Sequence, residues 1–294
     1  MNIEKWLSNN TCSLSGKTVA VTGSTGGLGR ELCSYLARLG ASLVLLDRNA
    51  ERSRAFADEL VEKYPEARVR CIGVELESIE SVRAACEQLL QTEIDIFIHN
   101  AGAYAIERRV CSTGYDNVFQ INFVSPYYMI RTLLPTLRER GGRVVVVGSI
   151  AHRYSKTDES DVDFSTRKQA SIAYGNAKRY LMFSTYALFE KERDATLAVT
   201  HPGIAFTNIT AHYPKLVFAL IKYPMKLIFM SPRRACLSIL RGAFEPCGKG
   251  EWIGPRAFDI WGAPTKRALH SVSEQEYASI SQTATRIYGE LSEE

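Results

Sequence analysis

Tyr174 and Lys178 stand four residues apart. On a helix that spacing puts both side chains on one face. A free phenol titrates near pH 10, and an ammonium beside it favours the phenolate. The pair can therefore serve as a general acid or base. Ser149 lies 25 residues earlier, at the end of an apolar run that reads as a buried strand. Its hydroxyl can hold an oxygen on which charge changes during a reaction. Taken alone, Tyr174 and Lys178 read better as an ordinary surface contact on a helix; the rest of the chain must supply the reason to treat them as a site.

Thr22-Gly23-Ser24-Thr25-Gly26-Gly27-Leu28-Gly29 supplies it. This segment follows an apolar strand and opens a helix. Glycines let the backbone approach a pyrophosphate, and the helix N-terminus offers free N–H groups and the positive end of its dipole. About 20 residues further on, a second apolar run ends in Asp47-Arg48. A carboxylate there can accept hydrogen bonds from the ribose hydroxyls of a dinucleotide and would repel a 2′-phosphate, whereas Arg48 would attract one. Asp47 can equally cap the helix that follows. A bound cationic nicotinamide would join Lys178 in drawing the Tyr174 proton away, bringing its titration toward neutrality.

The elements that must position these residues are legible in the apolar pattern. Val19–Val21, Leu43–Leu46, Val69–Val74, Ile94–Ile98, Val144–Val147 and Leu197–Val199 read as buried strands, most of them short and with little polar alternation, as parallel strands covered on both faces should be. Helix-period segments separate them: Arg30–Leu39, Ala50–Lys63, Ser78–Leu90, a long one around Tyr115–Arg138, and Ala173–Lys191. Such alternation predicts an α/β fold, a Rossmann-type doubly wound parallel sheet, in a single domain over residues 1–294. Residues 1–16 read as an N-terminal extension.

Taken in order, these motifs resemble the short-chain dehydrogenase/reductase family over about residues 17–265. The TGxxxGxG form of the glycine loop is similar to the family's alcohol-dehydrogenase branch. His99-Asn100-Ala101-Gly102 resembles the NNAG element that ends the fourth strand, with His99 in place of Asn. Asn122 falls where the family places an Asn that holds a relay water, so the resemblance implies a tetrad of Asn122, Ser149, Tyr174 and Lys178. Pro202-Gly203-Ile204-Ala205-Phe206-Thr207 resembles the PGxxxT element, whose threonine contacts the nicotinamide end. Glu75-Leu76 sits where Asp-Leu usually lies near adenine. The resemblance implies a sheet of about seven strands and an NAD cofactor, with NADP open. Gly26 stands where many NADP-using relatives carry a base, and together with Asp47 it predicts a preference for NAD. The long Ser149–Tyr174 spacing, Ser149-Ile150-Ala151-His152 and Gly114-Tyr115-Asp116 resemble the retinol-dehydrogenase-like subgroup, which acts on large apolar alcohols.

By the same resemblance, residues 204–245 form a lid over substrate. Phe206 and Tyr213 then supply apolar wall, and His152 and Ser149 face the substrate. The apolar stretch Leu216–Met230 also reads as a core helix or as a peripheral membrane contact. No apolar run is long enough to span a bilayer. The net charge of +4 is spread among acids, which gives no reason to expect nucleic acid. No histidine or cysteine spacing suggests a metal. Seven cysteines without a CxxC pair, and no signal peptide, predict free thiols and a cytoplasmic setting. The expected activity interconverts an apolar alcohol and its ketone or aldehyde; reduction of a C=C bond, or a regulatory module that binds cofactor without turnover, are the alternatives. Self-association stays open.

Overall fold

The computed structural model describes residues 2–203 and 230–293. The chain opens with α1 (Ile3–Asn10), then runs β1 (Thr18–Thr22), α2 (Gly27–Arg38), β2 (Ser42–Asp47), α3 (Ala50–Lys63), β3 (Val69–Gly73), α4 (Ile79–Leu90) and β4 (Ile96–His99). A short α5 (Asn117–Phe119) passes through a π-helical turn (Gln120–Val124) into α6 (Ser125–Glu139). There follow β5 (Arg143–Val147), a 3₁₀ turn (Ile150–Arg153), α7 (Ala170–Phe189) and β6 (Thr196–Thr200). Beyond residue 230 come α8 (Pro232–Ala235), α9 (Leu237–Phe244), the strands β7 (Glu251–Ala257) and β8 (Trp261–Ala268), and α10 (Glu274–Glu293).

Among the described residues one sheet holds eight strands in the order β3-β2-β1-β4-β5-β6-β7-β8. The first seven are parallel, and β8 returns antiparallel on β7. This is the expected doubly wound fold with one strand more than the resemblance implies. Alternate residues of each central strand feed opposite cores. Ala20, Val44, Phe97, Val144 and Val199 face the layer of α4, α6, α7 and α10, while Val21, Leu45, Ile98, Val145 and Ala198 face α2, α3 and α9. Strands covered on both faces need apolar side chains at every position, which is why these runs carry no alternation.

The reading of residues 69–74 as a fully buried strand is corrected: β3 is the sheet's edge, with a single strand neighbour and with Arg70 and Gly73 exposed. The N-terminal extension is an integral part of the core. Trp6, Leu7 and Leu14 are buried with α2, and Arg38 grips Glu4 through its two terminal guanidinium nitrogens. The proposed lid span is corrected over its described part: α9 lies under the sheet with Leu237, Ile239 and Leu240 fully buried. Residues 204–229, and with them Ile204, Phe206, Thr207 and Tyr213, lie outside the described residues. Among the described residues no helix is long and apolar enough to cross a membrane, and no group of side chains could hold a metal ion.

Candidate active site

The C-terminal ends of β1, β4, β5 and β6 open on one edge of the sheet, where such folds bind ligands. Ser149 follows β5 there as the first residue of a turn whose Ala151 amide donates to its Oγ. Helix α7 crosses this turn closely because Gly175 has no side chain. A Cβ there would run into the Ala151 carbonyl oxygen and lie 3.1 Å from its carbon. The approach brings the Tyr174 hydroxyl to Ser149 and sets the phenol edge-on against Tyr104, with ring centroids 5.3 Å apart. Tyr104 is a neighbour that spacing alone could not reveal.

One turn later on α7, Lys178 is fully buried. Its Nζ donates to the Val147 carbonyl at 3.0 Å and lies 5.7 Å from the centre of the Tyr174 ring. Asn122 reaches the same place from the π-helical turn. Its Nδ2 donates to the Val118 and Ala103 carbonyls, and its Oδ1 accepts from the Ala103 amide. Gly102 sits between the two: a Cβ on it would be 2.9 Å from Asn122 Oδ1 and 3.4 Å from Lys178 Nζ. The four residues of the expected tetrad therefore converge, although they come from three separate stretches of chain.

Burial sets the proton balance of this cluster. It pushes the Tyr174 phenol up to about 12, with the Ser149 hydroxyl pulling the other way, and lowers Lys178 to about 7. The expected lowering of Tyr174 is thus not supplied by the chain's own groups among the described residues. At neutral pH the phenol holds its proton.

Lys178 carries a testable consequence. An unfolded lysine keeps its proton up to about pH 10.4, while the folded one sheds it near 7. Between those values the unfolded state binds more protons, so this residue's contribution to stability rises with pH. Below about pH 7 both states are charged and the full burial penalty is felt. Lys178→Met should therefore be more stable than wild type at pH 6. The penalty removed is on the order of 5 kcal/mol, offset by about 1 kcal/mol for the lost bond to Val147. The gain should shrink as pH approaches 10. Urea unfolding of both proteins at pH 6, 8 and 10 checks this; a difference that stays constant would contradict it.

The glycine loop is built by local constraint. Gly23 has φ +66°, and a Cβ on it would be 3.0 Å from Ala101 Cα. A Cβ on Gly29 would overlap the Gly23 carbonyl and approach Ser24 Cα to 2.8 Å. Thr22 Oγ1 accepts the Asn100 and Ala101 amides at 3.0 Å each, and Asn100 Nδ2 donates back to the carbonyls of Thr22 and Gly23. This knits the β1 and β4 ends together and leaves Asn100 Oδ1 buried without a partner among the described residues. Helix α2 starts at Gly26 with no side-chain cap and no acid in its first turn. An uncapped helix end behind bare backbone, beside an unspent acceptor, fits a dinucleotide.

At the adenosine end the structure gives each expected side chain its neighbours. Asp47 is 5% exposed and spends its carboxylate on Ser24, Thr25 and Ser53. It does not cap α3, whose cap is Asn49, accepting from the Arg52 amide at 2.8 Å. Arg48 is largely exposed and reaches Glu75 at 3.6 Å, while Leu76 is buried and its carbonyl accepts from Ser125. His152 is also corrected. Its ring is fully buried against Phe183 and Trp252, and Nδ1 is held 2.6 Å from the Ser149 carbonyl. It braces the Ser149 turn from behind. Arg179 completes that brace, donating to the His152 carbonyl while gripping Glu276 of α10 at 2.6 and 2.7 Å. Pro202 and Gly203 follow β6 beside the β7–β8 turn, where a Cβ on Gly203 would lie 2.7 Å from the Ile260 carbonyl oxygen.

Residues 17–178 match the short chain dehydrogenase family. An uncharacterized oxidoreductase of Schizosaccharomyces pombe is 29% identical over 84% of this chain and 77% of its own length. Human retinol dehydrogenase 14 is 30% identical over 74% of this chain and 71% of its own. Among solved structures, an uncharacterized protein from Mycobacterium paratuberculosis superposes with a TM-score of 0.73 over 97% of this chain and 96% of its own, at 21% identity, a likeness of fold. The convergent tetrad, the glycine loop and these relatives agree: the chain belongs to the short chain dehydrogenase family, in its retinol-dehydrogenase-like group.

Proposed function

We propose that this oxidoreductase interconverts a bulky apolar alcohol and its ketone or aldehyde, with Tyr174 as the acid and base. The observation that carries the reading is the meeting of Tyr174 and Ser149 across the Gly175 contact, with Lys178 buried behind them. The Gly23–Gly29 loop and the Asn100–Gly102 end of β4 would hold a nicotinamide cofactor, NAD or NADP, which would supply or remove the hydride. Ser149 holds the substrate oxygen by its hydroxyl, and Tyr174 passes the proton to or from that oxygen. Lys178 and Asn122 line the route by which the proton is replaced. A phenol that keeps its proton at neutral pH is in the form that donates to a carbonyl oxygen. Alcohol oxidation needs the positive charge of the oxidised cofactor to draw the proton off.

A large apolar substrate is supported by Tyr104 against the catalytic ring and by Tyr154, 53% exposed just past the Ser149 turn. Human retinol dehydrogenase 14 among the relatives supports the same substrate class. Steady-state kinetics with retinoid, steroid, long-chain and short polar alcohols and carbonyls, with each cofactor, test the proposal. Efficiency should be at least about tenfold greater for the bulky apolar compounds, as a few buried methylenes imply. Turnover of small polyols alone would overturn the substrate reading. Reduction of an enone only at its C=C bond would overturn the reaction.

A further inference from the structure

We propose that Glu276 is a positioning residue for Ser149: acting through Arg179 and the His152 carbonyl, it makes the placement of the Ser149 turn depend on the C-terminal helix α10. This rests on the roles given to Ser149 and Tyr174 above. Past Val147 the chain leaves β5, and the Ser149 hydroxyl is carried by the short 3₁₀ turn Ile150–Arg153. The amide of His152 and its ring Nδ1 both lie on the Ser149 carbonyl, at 3.2 and 2.6 Å. A carbonyl oxygen only accepts, so Nδ1 carries the imidazole proton. His152 and Ser149 therefore move as one unit, and whatever fixes His152 fixes Ser149.

Arg179 does the fixing. Gly175 and Arg179 stand four apart on α7, on the face that meets this turn. Gly175 only leaves room for the approach; Arg179 supplies the attraction. Its Nη1 donates to the His152 carbonyl at 2.7 Å, while Nε and Nη2 fork onto the two oxygens of Glu276 at 2.6 and 2.7 Å. A planar guanidinium engaged at both ends fixes direction as well as distance. Arg179 is almost wholly buried, so its charge must be met by a carboxylate, and Glu276 meets it. Glu276 Oε1 also accepts the amide and hydroxyl of Thr157, at 3.0 and 3.1 Å. One carboxylate thus holds the segment at Thr157 directly and at His152 through Arg179. Its own position is set by α10, whose Ile280, Ala284, Ile287 and Leu291 are buried and whose Ser279 donates to Glu159 at 2.6 Å.

The test compares the full chain with Glu276→Gln, Arg179→Lys and the double variant. Arg179→Lys keeps the buried charges paired and serves if Glu276→Gln folds poorly. Without substrate, proton NMR follows the imidazole N–H of His152. Its short bond to the Ser149 carbonyl holds that signal downfield in the wild type, and either single variant should move it upfield. NADH affinity, read by nicotinamide fluorescence, should stay within about twofold, as for sites that do not couple. On the carbonyl of the panel above that the wild type reduces fastest, kcat per nucleotide-binding site should fall by roughly tenfold to a hundredfold, the cost of slightly misplaced reacting groups. The Ser149 hydroxyl draws the Tyr174 phenol down against burial, so the limb of the kcat profile that reports Tyr174 should move to higher pH. The double variant should be no worse than the worse single one, because both cut the same chain of contacts. A lower melting temperature with kcat per site and the pH limb unmoved would show that the pair merely holds α10 in place and would overturn the inference. An unmoved His152 signal, or fully additive losses in the double variant, would overturn it as well. A wild type that reduces none of the carbonyls would overturn the reaction reading itself, and the His152 signal would still decide whether Glu276 holds the turn.

Discussion

Tyr174→Phe should lower kcat by roughly 10²- to 10⁴-fold, the range for losing a general acid or base, while nucleotide affinity stays near that of the wild type. The ring is held by contacts that Phe keeps. It stands edge-on to Tyr104, lies under the Lys178 ammonium, and rides on a helix locked against the Ser149 turn at Gly175. Only the hydroxyl is lost, and with it the phenolic proton held beside Ser149 at neutral pH. The loss should therefore fall on turnover and leave binding and the folded structure alone. Single-turnover rates, nucleotide titration and thermal unfolding of the variant separate these three. A variant that turns over within about tenfold of wild type, below the range for such a group, would sink the assigned role of Tyr174.

Gly29→Ala should abolish measurable nucleotide binding and destabilise the fold by about 1–3 kcal/mol, the usual cost of forcing a methyl into a filled space. The effect is large because nothing near Gly29 can give way easily. The added carbon would meet the Gly23 carbonyl and the backbone of Ser24, and both belong to the loop itself. Relief would require the loop to move away from α2. That would break the alignment of bare amides at the uncapped helix end on which anion binding depends. Gly26→Ala is the contrast, since its Cβ would approach only the Gly23 carbonyl, at 3.3 Å. Calorimetric titration and thermal melts of the two variants provide the comparison. Nucleotide binding by Gly29→Ala within a few-fold of wild type, with Gly26→Ala equally mild, would show that the turn is not the binding loop.

Much of this molecule is determined by its sequence alone. Strands β1, β2, β4, β5 and β6 declare themselves as unbroken apolar runs because both faces of a central parallel strand are buried, so burial leaves its mark at every position. The glycine loop, the N-terminal half of α2 and the Tyr174–Lys178 face are equally legible, since they depend on backbone freedom and helical spacing within a few residues. The edge position of β3 and the pairing of β7 with β8 could not be read this way. An edge strand is marked by the neighbour it lacks, and β8 carries Gly262 and Pro264 within a run that is mostly half-buried.

The long helical stretch around residues 115–138 reads as one helix, yet a π-helical turn interrupts it and swings Asn122 toward Ala103, a contact made across 19 residues. The same limit governs side chains with two plausible partners. His152 has the residue type and position of a substrate contact, yet Trp252 and the Ser149 carbonyl claim it. Sequence determined which groups can do chemistry, because type and local spacing are properties of the chain. The tertiary structure decided which of them are already spent, because a hydrogen-bond acceptor or a buried ring is claimed by residues that only folding brings near.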